Sequence, residues 1–259
     1  MNLDYMKQMF GLGGQVGVVI GGNGTLGSAM CRAAAMAGAH VVVSGRKAEK
    51  AQPVVSEIAA AGGSAQLMVC DTTQRESLEA MRKALVHEHG KIDFLINCAG
   101  VNSPTPFREI QDDEWDRIIT AYLTGVKTAC QVFIPQMIAQ SGGRIINVAS
   151  ITSLLPLSRV FTYSTSKAGV LNLTQNLGAE FAPQSVRVNA IVPGFFPAEQ
   201  NRAVLDETRR ENILRGTPMG RFGEPQDLEG ATVFLLSAAS NFVTGEAVTV
   251  AGGFGARWF

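Results

Sequence analysis

The hydrophobic positions of the chain follow two alternating patterns. Short runs rich in Val and Ile, such as VGVVI at 16–20 and HVVVS at 40–44, are each followed by a longer segment of helical period. Near-continuous apolar runs are typical of strands that are buried on both faces. The alternation therefore predicts an α/β fold with a parallel sheet. The predicted strands are Val16–Ile20, His40–Ser44, Ala65–Cys70, Ile92–Asn97, Arg144–Ser150, Val186–Val192 and Glu246–Val250.

The segments between these strands predict the crossover helices. They are Leu26–Ala37, Lys47–Ala61, Gln74–His89, Asp112–Ala139, Thr162–Ala182 and Pro225–Ser237. With no repeat or linker in the pattern, we expect residues 1–259 to form a single Rossmann domain, a doubly wound seven-stranded parallel sheet with helices on both faces. The connection at 193–220 carries no predicted element. Long connections in compact domains are usually functional, so we interpret it as a substrate loop.

Charge and cysteine content narrow the class of ligand. Lys and Arg number 22, as do Asp and Glu, so the formal net charge is zero. A neutral chain lacks the electrostatic footprint of a protein that binds nucleic acid or an anionic membrane. No apolar run approaches the roughly 18 residues of a membrane span, and the first residues lack a signal-peptide pattern, so we expect a cytoplasmic protein. Four scattered cysteines without a CxxC pair predict reduced thiols and no metal site.

A glycine-rich turn, GGNGTLG, follows the first predicted strand. Glycine lets the backbone come close to a phosphate, and the helix that follows presents free N–H groups to an anion. Such a turn alone is a weak signal, but its place at the start of a βαβ unit predicts a dinucleotide site. The predicted cofactor contacts in this turn are Gly21, Asn23, Thr25, Leu26 and Gly27.

The end of the second strand bears on the choice of dinucleotide. It reads Val43-Ser44-Gly45-Arg46 and has no acidic residue to bind a ribose 2′-OH. Arg46 can instead pair with a 2′-phosphate, which favours NADP(H), with NAD(H) still possible. The alternative for Arg46 is a solvated charge at a helix start.

Further motifs follow the later strands in a fixed order. They are Asp71-Thr72, Asn97-Cys98-Ala99-Gly100, Ser150, Tyr163 with Lys167, and Pro193-Gly194 with Phe196. Together with the glycine-rich turn they resemble the TGxxxGxG, Asp, NAG, Ser, YxxxK and PG elements of the short-chain dehydrogenase/reductase family, over nearly the whole chain. The resemblance implies cofactor contacts at Asp71, Thr72, Asn97, Ala99, Gly100, Tyr163, Lys167, Pro193, Gly194 and Phe196. For Asn97, stabilisation of the central strand end is the favoured role, and a cofactor contact is the secondary interpretation.

The chain departs from the family pattern at four positions. Ile20 replaces a Thr, Thr25 a central Gly, and Ala198 the Thr usual after the PG turn. Tyr122 falls where the family's fourth catalytic residue, an Asn, supports a proton relay. That relay is therefore in question here.

Three of these residues carry the expected chemistry. Reduction of a ketone leaves an alkoxide that needs a proton donor, and the pKa of an ordinary tyrosine is about 10. Tyr163 and Lys167 are four residues apart on a predicted helix, so we expect the Lys167 ammonium to lower the pKa of Tyr163. Ser150, at a strand end, is expected to orient the substrate oxygen.

The substrate is less well defined. Residues around 159, 193–202 and 217–225 resemble a sugar-acid branch of the family whose members are called D-mannonate oxidoreductase or fructuronate reductase. Candidate substrate residues are Ser150, Ser153, Arg159, Phe195, Asn201 and Arg202. An arginine suits a carboxylate, although a surface ion pair explains each arginine equally well. Phe195 and Phe196 form an apolar wall or pack in the core, and Arg221 is assigned a structural role.

The sequence thus predicts an NADP(H)-dependent enzyme that interconverts a secondary alcohol and a ketone, on a sugar acid or another small polyhydroxylated substrate. The family resemblance implies a homotetramer, with a homodimer as the alternative. One rival is a reductase of 3-oxoacyl thioesters or other neutral ketones. A second rival, motivated by Tyr122 and Ala198, is a regulatory protein that binds a dinucleotide with weak turnover.

Overall fold

The computed structural model describes residues 2–100, 104–197 and 206–256. Its centre is a seven-stranded sheet in the order β3-β2-β1-β4-β5-β6-β7, and every neighbouring pair is parallel. The strands are β1 (Val16–Ile20), β2 (His40–Gly45), β3 (Ser64–Val69), β4 (Phe94–Asn97), β5 (Gly143–Val148), β6 (Val186–Pro193) and β7 (Ala247–Val250). The strand order reverses between β1 and β4, which is where open α/β sheets bind ligands.

Helices cover both faces of the sheet. They are α1 (Leu3–Phe10), α2 (Thr25–Met36), α3 (Ala48–Ala60), α4 (Arg75–His89), α5 (Asp112–Ile119), α6 (Gly125–Ala139), α7 (Phe161–Phe181), α8 (Glu207–Arg215) and α9 (Glu229–Leu236). The fold is the single-domain, Rossmann-like α/β architecture that the sequence predicted.

The alternation of side chains along each strand separates the two large clusters of the core, which lie on opposite faces of the sheet, and a third, small cluster lies near the ends of β5 and β6. Val18 and Val19 are adjacent on β1, yet Val19 packs with α2, α3 and α9, whereas Val18 packs with α4, α6 and α7. Successive side chains of a strand point to opposite faces, so continuous apolar runs are needed where both faces are covered. This is why the strands read as Val and Ile runs.

All seven predicted strands are confirmed, with ends that differ by at most two residues. The predicted helix 112–139 is wrong as one regular element, because a π-helical turn, Thr120–Thr124, separates α5 from α6. Such turns recur at functional sites. Two helices, α1 and α8, were missed. Both are largely exposed and polar enough that no buried stripe marks them in the sequence.

A buried polar chain fixes the strand ends beneath the ligand side of the sheet. The Asn97 amide donates to Asn147 Oδ1 at 2.8 Å, and the Asn147 amide donates to Thr174 Oγ1 at 3.0 Å. The chain joins β4, β5 and α7. A buried amide without partners costs about 1–3 kcal/mol, so this network fixes α7 relative to the sheet. For Asn97, the structural role proposed from the sequence is therefore observed.

The longest apolar helical stretch and the cysteines were also examined in the sequence. The stretch Asp112–Ala139 is long and apolar enough to span a membrane by length and composition, but half of it is buried within the fold, as in a core helix. All four cysteines are free thiols, as the sequence predicted.

Candidate active site

The three predicted catalytic residues lie together beside the end of β5. Ser150 follows that strand, and its hydroxyl oxygen accepts hydrogen bonds from the Thr152 amide at 3.2 Å and the Thr152 hydroxyl at 3.1 Å. Lys167 is buried on α7, and its ammonium donates to the Val148 carbonyl at 2.5 Å. Tyr163 lies one turn earlier on α7 and hydrogen-bonds the Ser150 side chain. The strand and the helix therefore hold a serine, a phenol and an ammonium at one end of the sheet.

The electrostatics of this cluster differ from the expectation. Burial raises the pKa of Tyr163, and the hydrogen bond to Ser150 offsets this only in part. Burial also lowers the pKa of Lys167 to about 8, against a smaller opposing effect of Cys98. The expected lowering of the Tyr163 pKa by Lys167 is wrong for this structure, because the ammonium lies 5.9 Å from the ring centroid and is bonded to Val148. With its pKa raised, the Tyr163 phenol stays protonated at neutral pH.

Tyr122 contacts both of these residues from the π-helical turn. Its side chain is buried, and its ring is 5.2 Å from that of Tyr163 at an interplanar angle of 80°. The Lys167 ammonium lies 4.5 Å from the centroid of the Tyr122 ring. On Gly100, a Cβ would come within 2.7 Å of the Tyr122 hydroxyl. The large ring at position 122 thus fits because position 100 has no side chain.

The glycine-rich turn fits the diphosphate of a dinucleotide. Gly21 has a φ of +77°, and a Cβ there would lie 2.6 Å from the Ala99 amide nitrogen. A Cβ on Gly27 would overlap the Gly21 carbonyl, so the start of α2 approaches the turn more closely than any side chain permits. The N-cap of α2 is Gly24, which offers no side-chain hydrogen bond to the first turn. The amides of that turn can therefore bind an anion.

The turn also contacts the end of β2. The Asn23 side chain lies over Gly45, where a Cβ would be 2.5 Å from its Oδ1 atom. Arg46 follows directly and is exposed. Asn23 and Arg46 thus flank the position at which the fold places the adenosine ribose.

The remaining predicted cofactor residues make different contacts within the protein. Asp71 Oδ1 accepts from the Thr73 amide and hydroxyl, at 3.0 and 2.8 Å, so it also builds its own turn. The Thr72 hydroxyl packs on α6, within 3.2 Å of where a Cβ on Gly125 would lie. Leu26 is half-buried and packs against the cluster of Val19, and Thr25 is exposed.

The aromatic residues after β6 pack against other parts of the protein. Phe196 is buried in the core, and Phe195 stacks edge-on against Phe254 with ring centroids 4.7 Å apart. A Cβ on Gly194 would lie 2.7 Å from Ala251, so Pro193-Gly194 bends against β7. Of the two readings of this aromatic pair, core packing applies to Phe196, while Phe195 is half-buried.

Two of the polar residues singled out in the sequence, Ser153 and Arg221, have structural contacts. The Ser153 hydroxyl accepts from the Ser150 amide at 3.3 Å, so it caps the short turn after β5. Arg221 forms a bidentate pair with Asp227, at 2.6 and 2.9 Å, and holds the pKa of that carboxyl at about 2, which is the predicted structural role. Asn201, Arg202 and Ala198 lie outside the described residues.

Arg209 was missed by sequence reasoning, because it lies on the undetected helix α8. It donates to the Ser158 carbonyl at 3.2 Å, next to Arg159. Burial and the charge of Arg159 lower the pKa of Arg209, with Asp206 opposing. Arg159 has a φ of +62° and lies in the loop two residues before the start of α7. Within the described ranges, neither guanidinium forms an ion pair.

Comparison with known proteins identifies the family of the chain. The family model that matches residues 22–255 is described as enoyl-(acyl carrier protein) reductase. The chain belongs to the short-chain dehydrogenase/reductase family and is an oxidoreductase.

Two curated relatives and one solved structure show the range of its similarity. The uncharacterized oxidoreductase UxuB of Bacillus subtilis is 38% identical over 94% of this chain and 95% of the relative. The 3-oxoacyl-[acyl-carrier-protein] reductase FabG of Thermotoga maritima is 32% identical over 93% and 98%. A gluconate 5-dehydrogenase from Burkholderia cenocepacia, solved with NADP and tartrate, has a TM-score of 0.93 at 32% identity, covering 98% of this chain and 100% of that chain.

Proposed function

We propose that this protein is an NADP(H)-dependent oxidoreductase that interconverts a secondary alcohol and a ketone on a sugar acid. The observation that carries the proposal is the cluster of Ser150, Tyr163 and Lys167 beside a turn that fits a dinucleotide. Similarity to a gluconate 5-dehydrogenase solved with NADP supports the substrate class and the cofactor. The finer assignment, D-mannonate oxidoreductase or fructuronate reductase, rests on the loop motifs in the sequence.

Ser150, Tyr163 and Lys167 each have a different role in the proposed reaction. When bound, the nicotinamide supplies or accepts the hydride. Ser150 orients the substrate oxygen through a hydrogen bond. Tyr163, kept protonated by burial, donates its proton to that oxygen during reduction, and in the reverse direction its phenolate accepts the proton of the alcohol. Lys167 contributes a positive charge next to the phenol and fixes the end of β5 through Val148.

The preference for NADP(H) is proposed from Arg46. This guanidinium is exposed at the end of β2, beside Asn23, and pairs with a 2′-phosphate. Replacing Arg46 by Ala should raise the KM for NADPH by about 10- to 100-fold, because a hydrogen-bonded charge contributes roughly 1.5–3 kcal/mol. The KM for NADH should stay the same. Steady-state kinetics with both cofactors measure the effect.

The control is Lys50→Ala, which removes an exposed charge from the next helix. An Arg46→Ala variant that keeps its full preference for NADPH would contradict the role of Arg46.

The substrate carboxylate is assigned to Arg159 and Arg209. The charge of Arg159 adds to the effect of burial in lowering the pKa of Arg209, and an anion between the two guanidinium groups removes that repulsion. Arg209 is held to the loop before α7 by its bond to Ser158, so the pair lies near the start of the helix that carries Tyr163. This placement supports an anionic substrate over a neutral ketone.

Neutralising these arginines tests the substrate class. Arg159→Gln and Arg209→Gln should each raise the KM for a sugar acid by about 10- to 100-fold, since each removes a charge-assisted hydrogen bond. The KM for the matching uncharged sugar should not change. Arg215→Gln is the control, because Arg215 is exposed on the same helix and is bonded to Asn212. Equal effects on the acid and the neutral sugar would refute the assignment.

A screen of NADPH oxidation over carbonyl substrates tests the whole proposal. Turnover of sugar-acid ketones supports it. Preferred turnover of 3-oxoacyl thioesters would favour the activity that the Thermotoga maritima relative is named for. Tight NADPH binding without turnover of any carbonyl would favour a regulatory protein.

Assembly, location and domain organisation complete the proposal. We propose a homotetramer in the cytoplasm, with the helical stretch of α5 and α6 and helix α7 at subunit interfaces. Residues 1–259 act as one dinucleotide-binding domain, and 193–220 act as its substrate loop, which includes helix α8. Free cysteines and the absence of net charge fit this location.

A further inference from the structure

Tyr122 adds an aromatic ring to the cluster of Ser150, Tyr163 and Lys167. The Tyr122 ring is buried at the π-helical turn. The Lys167 ammonium lies over the face of this ring, 4.5 Å from its centroid. A cation within about 6 Å of an aromatic centroid is attracted by the ring quadrupole, more strongly where water is excluded. Lys167 is itself buried, so this contact forms where solvent does not screen it.

The same ring packs against the proton donor. The rings of Tyr122 and Tyr163 meet nearly at right angles, with centroids 5.2 Å apart. This is a favourable arrangement for an aromatic pair, and it restricts the orientation of the Tyr163 phenol. Gly100 provides the space for the Tyr122 hydroxyl. Three elements, the turn after β4, the π-helical turn and α7, are thus mutually adapted around one side chain.

We propose that Tyr122 is a positioning residue, whose ring face binds the Lys167 ammonium and whose packing orients Tyr163, in place of a polar relay side chain at this position. The inference rests on the proposed function for its catalytic consequence, but the contact itself is independent of any substrate. It assigns the role to the ring of Tyr122 and not to its hydroxyl. Replacement by another aromatic residue should therefore preserve it.

The charged and titratable groups around Lys167 define how the contact responds to pH. Tyr163 faces it from the same helix, Tyr122 from the π-helical turn and Cys98 from the segment after β4, while β5 contributes the Val148 carbonyl. Burial raises the pKa of the Cys98 thiol to about 11. The thiol is thus neutral below pH 9, and Lys167 is the group that changes charge there.

The first test needs no substrate and compares Tyr122→Phe with Tyr122→Leu. The ring binds only the charged form of Lys167, so its loss should lower the pKa of Lys167 by about one unit. The Leu variant should then unfold more readily than the Phe variant at pH about 6. The ratio of the two unfolding constants should shrink about tenfold as the pH rises past 9, because both lysines are then neutral. Urea titrations across this range measure the ratio.

Phe133→Leu is the matched control, since Phe133 is a fully buried aromatic residue of the adjacent helix α6 in the apolar core. Its cost should be independent of pH between about 6 and 9. If the ratio of the unfolding constants of Tyr122→Leu and Tyr122→Phe were also independent of pH, the proposed contact between the ring and the ammonium would be refuted. This outcome does not depend on knowing a substrate.

The second test uses turnover. Tyr122→Phe should lose at most about threefold in kcat, whereas Tyr122→Leu should lose about tenfold or more, and the alkaline limit of activity should move to lower pH. If Tyr122→Phe loses as much as Tyr122→Leu, the hydroxyl carries the function, as a relay would, and the proposal is overturned. Absence of turnover in the unaltered protein would instead refute the proposed function.

Discussion

Replacing Tyr163 by Phe should lower kcat by about 1,000-fold, while NADPH binding remains the same. A positioned general acid contributes about 10²–10⁴-fold to the rate, and this variant removes only the proton donor. The ring that packs against Tyr122 is retained, so the site should keep its shape. Single-turnover oxidation of NADPH measures the chemical step, and quenching of protein fluorescence measures cofactor binding.

The control for this variant is Tyr5→Phe, because Tyr5 is exposed on α1, far along the chain from the site. It should leave both measurements unchanged. If Tyr163→Phe kept more than about a tenth of the activity, another group would be the acid and the assignment would fail.

Replacing Lys167 by Met should abolish most of the activity and yet stabilise the fold. Its ammonium is buried with one backbone acceptor, and burial lowers its pKa from 10.5 to about 8. Between these values the unfolded chain binds more protons than the folded protein, so the stability of the unaltered protein rises with pH across this window. At one pKa unit per about 1.4 kcal/mol, the folded state bears an upper bound of about 3 kcal/mol below pH 8.

Lys167→Met removes that penalty along with the charge. The variant should therefore be more stable than the unaltered protein at pH 7, and the gain should vanish as the pH approaches 10.5, where the lysine is neutral in both states. Its kcat should fall by about 100-fold or more, and its pH–rate profile should lack the decline above pH 8 that we expect of the unaltered protein, in which Lys167 then loses its charge. Thermal unfolding and pH–rate profiles measure the two effects. A variant less stable than the unaltered protein at pH 7 would show that the bond to Val148 outweighs the cost of burial.

The sequence predicted the parts of this molecule that depend on local pattern. Apolar runs marked the strands, and those of β1, β2, β5 and β6 are rich in Val and Ile because these strands are almost wholly buried. Residues at strand ends were placed correctly relative to one another, because parallel strands share one ligand-binding edge. Ser150 lies at such a strand end, and helix α7 brings Tyr163 and Lys167 next to it.

Features that depend on tertiary packing were not predicted. The π-helical turn at Thr120–Thr124 contains no proline or glycine that would mark it in the sequence. The Tyr122 ring makes its contacts with segments that are distant along the chain, such as the one that carries Tyr163, so the sequence does not show them. Helix α8 is polar and short, so Arg209 had no pattern to identify it. The direction of the Tyr163 pKa shift was wrong because helical spacing places Lys167 nearby but says nothing of burial.

The central claim is that Tyr163 gives its proton to a carbonyl oxygen held by Ser150 next to the nicotinamide. A crystal structure of the protein with NADP⁺ and an unreactive sugar acid tests it most directly. The account predicts that the Tyr163 and Ser150 hydroxyls both lie within hydrogen-bond reach of one substrate oxygen, at about 2.6–3.2 Å, on the side facing the nicotinamide C4. A complex in which that oxygen is bound by other groups, with the Tyr163 hydroxyl turned away from it, would contradict the account.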